Sequence, residues 1–187
     1  MITPGELKKG IAIEMDDQLW SVVGYEHIKM GRGGAVVRLK IRNLRSGYIT
    51  ERTFPASEKF RRVFLDRRKV QFQYADDQQY HFMDVESFEQ LPLPAERVGD
   101  DKYYLTENLV VDLSMYNDEP LALDLPVTVD LRVDYTEPGF KGDTATGGTK
   151  PATLETGLRV QVPLFVETGD IVRVDTRTGQ YLERVTS

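Results

Sequence analysis

Residues 29–34 read KMGRGG and place a single arginine between glycines. Gly31, Gly33 and Gly34 accept backbone angles that other residues avoid, and they add no bulk, so this loop can enter a narrow space. The guanidinium of Arg32 can pair bidentately with phosphate and stack on bases. The spacing therefore predicts a cationic tip suited to a polyanion such as RNA.

Basic residues flank this tip on both sides. Lys29 and Met30 lead into the loop, and the segment AVVRLKIRN (35–43) leaves it. Side chains alternate along a strand, so the basic residues of this segment fall on one face and Val37, Leu39 and Ile41 on the other. The residues that we expect to contact an RNA backbone are His27, Arg38, Lys40 and Arg42. An ordinary glycine turn with a solvated basic face would have the same sequence, so both interpretations stay open here.

A second candidate segment is rich in glycine, threonine and proline and spans residues 137–157. Loops longer than about 12 residues without internal structure are usually functional or mobile. This one carries Lys141 and Lys150, and its hydroxyl and main-chain donors suit a nucleic-acid backbone. The sequence therefore predicts a long functional loop.

Residues for catalysis are scarce. The chain has two histidines and no cysteine, and neither His27 nor His81 has a metal-ligand spacing. Adjacent acids, such as Asp16-Asp17 and Asp76-Asp77, fall in turns, where neighbouring side chains point apart into water. We expect a protein that is not an enzyme and that needs no catalytic residue, metal or cofactor.

The composition is that of a folding domain rather than of a disordered chain. Hydrophobic residues make up 40% and charged residues 29% of the 187 residues. No run of about 18 apolar residues could span a membrane, and the N-terminus lacks the apolar segment of a signal peptide. The absence of cysteine fits a reducing compartment, so we expect a cytoplasmic protein.

Charge is distributed unevenly along the chain. Residues 1–64 carry 12 Lys+Arg against 7 Asp+Glu, a net of +5, residues 65–127 carry 5 against 14, a net of −9, and residues 128–187 carry 7 against 9, a net of −2. A basic segment beside an acidic one indicates a polyanionic partner for the basic part.

Nearly every segment is typical of strand and turn. Hairpins are predicted at Asp16-Asp17, at Asp76-Asp77 and at residues 117–119, and one short helix fits residues 94–108. Such short strands favour closed barrels, because closure removes exposed edges. We predict an all-β fold of three small barrels, 1–64, 65–127 and 128–187; strand count and spacing fit oligonucleotide-binding barrels.

Several motifs together resemble the bacterial elongation factor P family. The segment KPATLETGLRVQVPLFVETG (150–169) matches the family signature through the residues Lys150, Ala152, Gly157, Val162, Pro163 and Gly169. GDT (142–144), DTRTGQY (175–181), RNLRSG and ERTF match further family motifs, and KMGRGGA is similar to the family's tip loop. The resemblance covers essentially the whole chain.

The resemblance implies an SH3-like barrel of the KOW type followed by two oligonucleotide-binding (OB) barrels, in an L shape like that of tRNA. It implies binding to both subunits of a stalled ribosome, between the peptidyl-tRNA and exit sites, and relief of stalling at consecutive prolines. The implied partners are ribosomal RNA, peptidyl-tRNA and the exit-site codon of the mRNA; Gly142, Asp143 and Thr144 would face that codon. We expect a monomer.

The tip departs from the usual family pattern. Many members carry a modified lysine there, and some carry a rhamnosylated arginine in the context GRNAA, whereas this chain has Arg32 in the context GRGGA. Arg32 can therefore be rhamnosylated, carry another group added by a modifying enzyme, or be bare. We favour the bare side chain, which is already long and charged.

Two other functions remain open. The chain could be an elongation-factor-P-like paralogue that responds to other stalling sequences. The retained GDT and DTRTGQY motifs favour the translation factor that relieves stalling at consecutive prolines. It could also be a β-barrel scaffold that binds only protein.

Overall fold

The computed structural model of the protein describes residues 1–30, 33–139 and 147–186, with the side chains of residues 29 and 30 outside that description. Within this part of the chain, the strands form three five-stranded sheets. Helical turns are short and few among the described residues. The predicted all-β class is confirmed.

The first sheet has the strand order β4-β3-β2-β1-β5. Its strands are β1 (Ala12–Met15), β2 (Gln18–Met30), β3 (Gly34–Asn43), β4 (Ile49–Pro55) and β5 (Arg61–Val63). The β1–β2 turn contains Asp16 and Asp17 at φ 54° and 57°, the left-handed pair that tight hairpins require. This predicted hairpin is confirmed, and Ile13, Val22 and Leu39 form the fully buried centre of the sheet's core.

The second sheet has the order β10-β9-β6-β7-β8. Its strands are β6 (Asp66–Ala75), β7 (Gln79–Asp84), β8 (Gln90–Pro94), β9 (Val110–Tyr116) and β10 (Glu119–Asp124). Both predicted hairpins are present, but Glu119 belongs to β10 and not to the turn as predicted. Asn117 and Asp118 suffice for that turn, because both adopt positive φ, 47° and 64°.

Strand β8 was not predicted, because its sequence QLPLP contains two prolines. Proline has no N–H and is confined to end strands or bulges of a sheet. β8 is the end strand. The N–H of Ala95 donates to the carbonyl of Gln78 at 2.9 Å, and because N–H groups point alternately to the two sides of a strand, this bond shows which residues of β8 direct their nitrogens towards β7. The ring nitrogens of Pro92 and Pro94 therefore point away from β7, so their missing N–H groups cost no hydrogen bond to that strand.

The predicted short helix is confirmed as two consecutive turns. An α-helical turn, α1 (Ala95–Val98), runs into a 3₁₀ helix at Gly99–Tyr104. Tyr104 is buried in the core of the third sheet, and the hydroxyl of Thr156 donates to the Tyr103 carbonyl at 2.5 Å.

The third sheet has the order β13-β12-β11-β14-β15. Its strands are β11 (Thr128–Thr136), β12 (Thr149–Leu154), β13 (Arg159–Pro163), β14 (Ile171–Asp175) and β15 (Tyr181–Val185). β12 lies inside the segment 137–157 that the sequence predicted as a loop, so that prediction was too long. Along β12, Lys150, Ala152 and Leu154 point into the interior. The pairing of β12 with β11 begins at Ala152, so Pro151, which precedes Ala152, lies outside that pairing.

Packing divides the chain into two compact units. One contains Met1–Arg68 with Leu113–Ala122, and the other contains Lys69–Asp112 with Leu123–Ser187. The end of the β9–β10 hairpin thus packs with the first sheet. The division of the chain at residues 64 and 127 stays a prediction.

Candidate nucleic-acid interface

The β2–β3 hairpin positions the candidate tip. Its ladder runs from Trp20 opposite Asn43 to Met30 opposite Gly34, which leaves residues 31–33 as the connection. Gly34 has φ 84°, a conformation that favours glycine, and a side chain at Gly33 would meet no atom within 4 Å. Gly31 and Arg32 lie outside the described residues, as do the side chains of Lys29 and Met30. The structure therefore describes the hairpin that leads to the tip, not the tip residue.

The predicted alternation along β3 is confirmed. Val37, Leu39 and Ile41 are at most 1% exposed. The exposed side chains that alternate with them are Arg38, Lys40 and Arg42, and we call these three residues the basic row. The buried face holds the strand in the core, so the basic row projects from a fixed support.

Acidic residues on neighbouring strands partly offset the basic row. Arg38 lies opposite Glu26, with 3.7 Å between guanidinium and carboxylate, and Lys40 lies opposite Glu51 of β4. Exposed pairs of this kind contribute at most about 1 kcal/mol, so a phosphate can replace the carboxylate at little cost. The basic row can therefore bind phosphate, although the neighbouring acidic residues reduce the net positive charge around it.

His27 lies on the opposite face of the hairpin from the basic row. It is in register with Val37, and cross-strand partners share one face of the sheet. Its ring makes an edge-to-face contact with Tyr25, with 5.5 Å between centroids. The structure therefore brings together Arg38, Lys40 and Arg42 but not His27.

The second candidate segment is described only at its two ends. Gly142, Asp143 and Thr144 lie outside the described residues. At the base, the ammonium of Lys150 donates to the Glu137 carbonyl at 2.5 Å, and Thr136 donates through its hydroxyl to the Pro151 carbonyl at 3.0 Å. Lys150 is only 7% exposed, so it supports the base of the segment rather than offering a charge to solvent.

A further contact at the far end of β3 was not predicted. The guanidinium of Arg45 makes two hydrogen bonds with the carboxylate of Glu119, at 3.2 and 3.1 Å. These bonds raise the pKa of Arg45 above its ordinary value. Nothing in the local sequence links residues 74 positions apart. The only available signal was the RNLRSG motif that contains Arg45.

Another ionisable pair lies in the β6–β7 turn. His81 Nε2 is 2.8 Å from the carboxylate of Asp76, and the N–H groups of Gln78 and Gln79 also donate to Asp76. Tyr74 stacks on His81 with 4.4 Å between ring centroids. His81 thus belongs to strand β7, and its ring contacts the turn that precedes that strand.

Neither a metal cluster nor a membrane helix is found in the described part of the chain. Across residues 1–30, 33–139 and 147–186, no three His, Asp or Glu side chains gather in a way that could hold a metal ion. None of the described helices combines the length and the apolar character needed to cross a membrane.

Comparison with known proteins accounts for all three sheets. Family models described as the elongation factor P KOW-like domain, OB domain and C-terminal domain match residues 3–60, 65–123 and 129–184. The elongation factor P of Thermoanaerobacter sp. (strain X514) is 49% identical over 185 residues, which cover 99% of this chain and 100% of that protein. The chain belongs to the elongation factor P family.

A second relative extends this finding. The elongation factor P of Moorella thermoacetica is 50% identical over 184 residues, covering 98% of this chain and all of its own. Among solved structures, a translation initiation factor 5A from Methanococcus jannaschii is 22% identical with a TM-score of 0.48, covering 65% of this chain and 94% of that one. The predicted family is confirmed, as are its KOW-like and OB domain types. Members of the elongation factor P family are translation factors.

Proposed function

We propose that this elongation factor binds the ribosome between the peptidyl-tRNA and exit sites and stimulates peptide-bond formation at polyproline stalls. In this proposal Arg32 reaches the acceptor end of the peptidyl-tRNA, and the barrels 1–64, 65–127 and 128–187 lie along that tRNA. The observation that carries the proposal is the identity of about half of all residues, over 99% of the chain, with a bacterial elongation factor P.

The β2–β3 hairpin supports the role of the tip. A buried row of side chains anchors β3, the basic row faces solvent, and Gly33 and Gly34, which follow Arg32 in the sequence, have open space around them. Phosphate contacts fix the position of a protein on RNA, and they need cations held on a stiff support. The hairpin meets both requirements.

Orientation is the form of catalysis that such a tip can supply. Proline is constrained both as donor and as acceptor, because its ring fixes φ and makes the attacking amine a secondary one. A cation at the end of the peptidyl-tRNA would hold it in a reactive pose, and correct orientation alone can lower a barrier by several kcal/mol. The ribosome carries out the chemistry, so the factor needs no acid, base or nucleophile of its own.

The test is a reconstituted translation reaction that reads a Pro-Pro-Pro message. The purified protein is expected to raise the rate of tripeptide synthesis, and Arg32→Ala is expected to lower this stimulation at least about tenfold. Arg32→Lys keeps the charge and should retain part of the stimulation. Lys59→Ala changes an exposed cation on another segment and serves as the matched control.

Other outcomes identify the competing functions. Stimulation only at stalling messages without consecutive prolines would identify an elongation-factor-P-like paralogue. Absence from ribosomal fractions at low salt, where phosphate contacts are strongest, would indicate a protein-binding scaffold. Mass spectrometry of the native protein and of its peptides tests whether Arg32 is unmodified. The expected result is no added mass on the peptide that contains residue 32.

A further inference from the structure

The turn that follows β3, at the end opposite the tip, is unusually well fixed. Asn43 is 7% exposed, and its side-chain oxygen accepts hydrogen bonds from the N–H groups of Arg45 and Ser46, at 2.9 and 3.0 Å. Its amide donates to Gln18 at 2.9 Å, and Gly47 closes the turn at φ 75°. This network determines the direction in which Arg45 leaves the sheet.

Arg45 uses that direction to bind the first residue of β10. Its Nε lies 3.2 Å from Glu119 Oε1, and its Nη2 lies 3.1 Å from Oε2. Two parallel bonds between a planar guanidinium and a planar carboxylate fix an angle as well as a distance. Lysine could supply the charge but not this angular constraint.

An apolar cluster lies beside the pair. Leu121 of β10 is 1% exposed and packs with Ala12, Leu19 and Val63 of the first sheet and with Leu44 of the turn after β3. The residues 113–122 at the end of the β9–β10 hairpin belong to the same compact unit as that sheet. Apolar burial supplies attraction but is not directional, so it leaves the angle of the hairpin less constrained than the ion pair does.

Strand β3 connects this junction to the tip. Its ten residues, Gly34–Asn43, span about 30 Å at roughly 3.3 Å per residue. Over that length a rotation of about 5° at the base displaces the other end by about 3 Å. Errors of about 1 Å in the placement of a reacting group can cost about a hundredfold in rate. A tip of this kind therefore needs an angular constraint at its base.

We propose that Arg45 and Glu119 are positioning residues that fix the β9–β10 hairpin against the base of β3 and thereby hold the tip in place. Their side chains are 38% and 34% exposed, and ion pairs this accessible to water add little to stability. The pair acts on the angle of the hairpin through its bidentate geometry rather than through its strength. The effect on translation rests on the proposed function, whereas the geometric part does not.

A distance measurement tests the geometry without any assay of function. The chain has no cysteine, so the pair Ala35→Cys and Ser114→Cys can carry two spin labels, one near the tip and one on β9. Arg45→Glu and Glu119→Arg are each expected to broaden the distribution of label-to-label distances at least about twofold. The double variant, which restores the pair with its charges exchanged, should narrow the distribution again.

A second ion pair of the same unit provides the control. Arg52 and Asp16 approach to 3.0 Å, but they join β4 to the β1–β2 turn within the first sheet. Arg52→Glu should leave the distance distribution and the translation rate within about 1.5-fold of the unchanged protein.

Translation of the Pro-Pro-Pro message supplies the functional readout. Each single reversal should lower the maximal rate at saturating factor about tenfold, while the factor concentration at half-maximal rate changes less than about twofold. The exchanged pair should recover most of the rate. Loss of the tip's placement, unlike loss of folding, lowers the maximal rate without removing the factor from the ribosome.

The proposal is overturned if both single reversals leave the distance distribution unchanged. It is equally overturned if Arg45→Glu loses activity and the exchanged pair does not recover it, because Arg45 would then act by direct contact with RNA. If the unchanged protein does not accelerate Pro-Pro-Pro synthesis, the proposed function fails, and the distance measurement still decides the positioning role.

Discussion

The ammonium of Lys150 donates a hydrogen bond to the main-chain carbonyl of Glu137, and this bond closes the base of the segment between β11 and β12. Lys150→Met keeps most of the apolar stem but leaves that carbonyl without this donor. We expect a loss of about 1 to 2 kcal/mol in the free energy of unfolding, measured by urea denaturation. Lys59→Met, on an exposed lysine, should change it by less than about 0.5 kcal/mol. Equal values for the two variants would contradict a structural role for Lys150.

Gly139 is expected to be intolerant of any side chain. A Cβ at this position would collide with the carbonyl oxygen of Leu164, which is main chain and cannot rotate away. Gly139→Ala should therefore destabilise the protein by about 2 kcal/mol, measured as a lower thermal midpoint and a lower free energy of unfolding. Gly5→Ala is the matched control, because a Cβ there meets no atom within 4 Å. A Gly139→Ala protein as stable as the Gly5→Ala protein would disprove this contact.

The β6–β7 turn should contribute a pH-dependent stability. The hydrogen bond from His81, followed by those from the N–H groups of Gln78 and Gln79, lowers the pKa of Asp76 from 3.8 to about 2. Folding thus favours the ionised carboxylate, so the contribution is complete above pH 3.8 and is lost as the pH falls through about 2. The difference in thermal midpoint between the unchanged protein and Asp76→Asn should shrink across this range.

Two controls accompany the acid titration. Asp77→Asn changes the neighbouring carboxylate of the same turn and should lower the thermal midpoint less than Asp76→Asn does, because Asp76 accepts the three hydrogen bonds. A carbon-detected NMR titration of Asp76 should give a midpoint near 2. A midpoint near the ordinary value of 3.8 would disprove the predicted interaction.

The basic row should determine part of the salt dependence of ribosome binding. Replacing Arg38, Lys40 and Arg42 with alanine is expected to reduce the slope of log affinity against log salt by about 2 to 3, since each lost phosphate contact removes about 0.7 to 0.9. Glu26→Gln should act in the opposite direction and tighten binding by about twofold, because it frees Arg38 from its partner. An unchanged slope in the triple variant would mean that the row faces no phosphate.

Local patterns in the sequence predicted most of the strands. Alternation separated Leu39 from Lys40 correctly, and acidic dipeptides marked the hairpin turns, because both signals depend on residues close in the chain. β8 and β12 were missed because proline argues against a strand, and only the tertiary arrangement reveals which prolines face away from a neighbour or lie past its end.

The candidate site was predictable to a lesser extent. The basic row followed from period-two alternation, but a register shift between Val22 and Gly24 separates His27 from it, and single-sequence patterns do not reveal such bulges. The sequence placed Lys150 in a long loop and gave no sign that it is buried, since burial of a lysine depends on a carbonyl that only the folded chain provides. The Arg45–Glu119 contact depends on a pairing of distant segments that no local pattern encodes.

The two prolines of β8 have a consequence for behaviour in concentrated solution. A strand at the margin of a sheet can recruit a strand from another molecule, and this is a common origin of fibres. Because Pro92 and Pro94 have no N–H, the outer edge of β8 offers few hydrogen-bond donors, so a strand of a second copy of the chain can form few hydrogen bonds with it. Replacing both with threonine would be expected to leave the monomer folded but to make it prone to self-association.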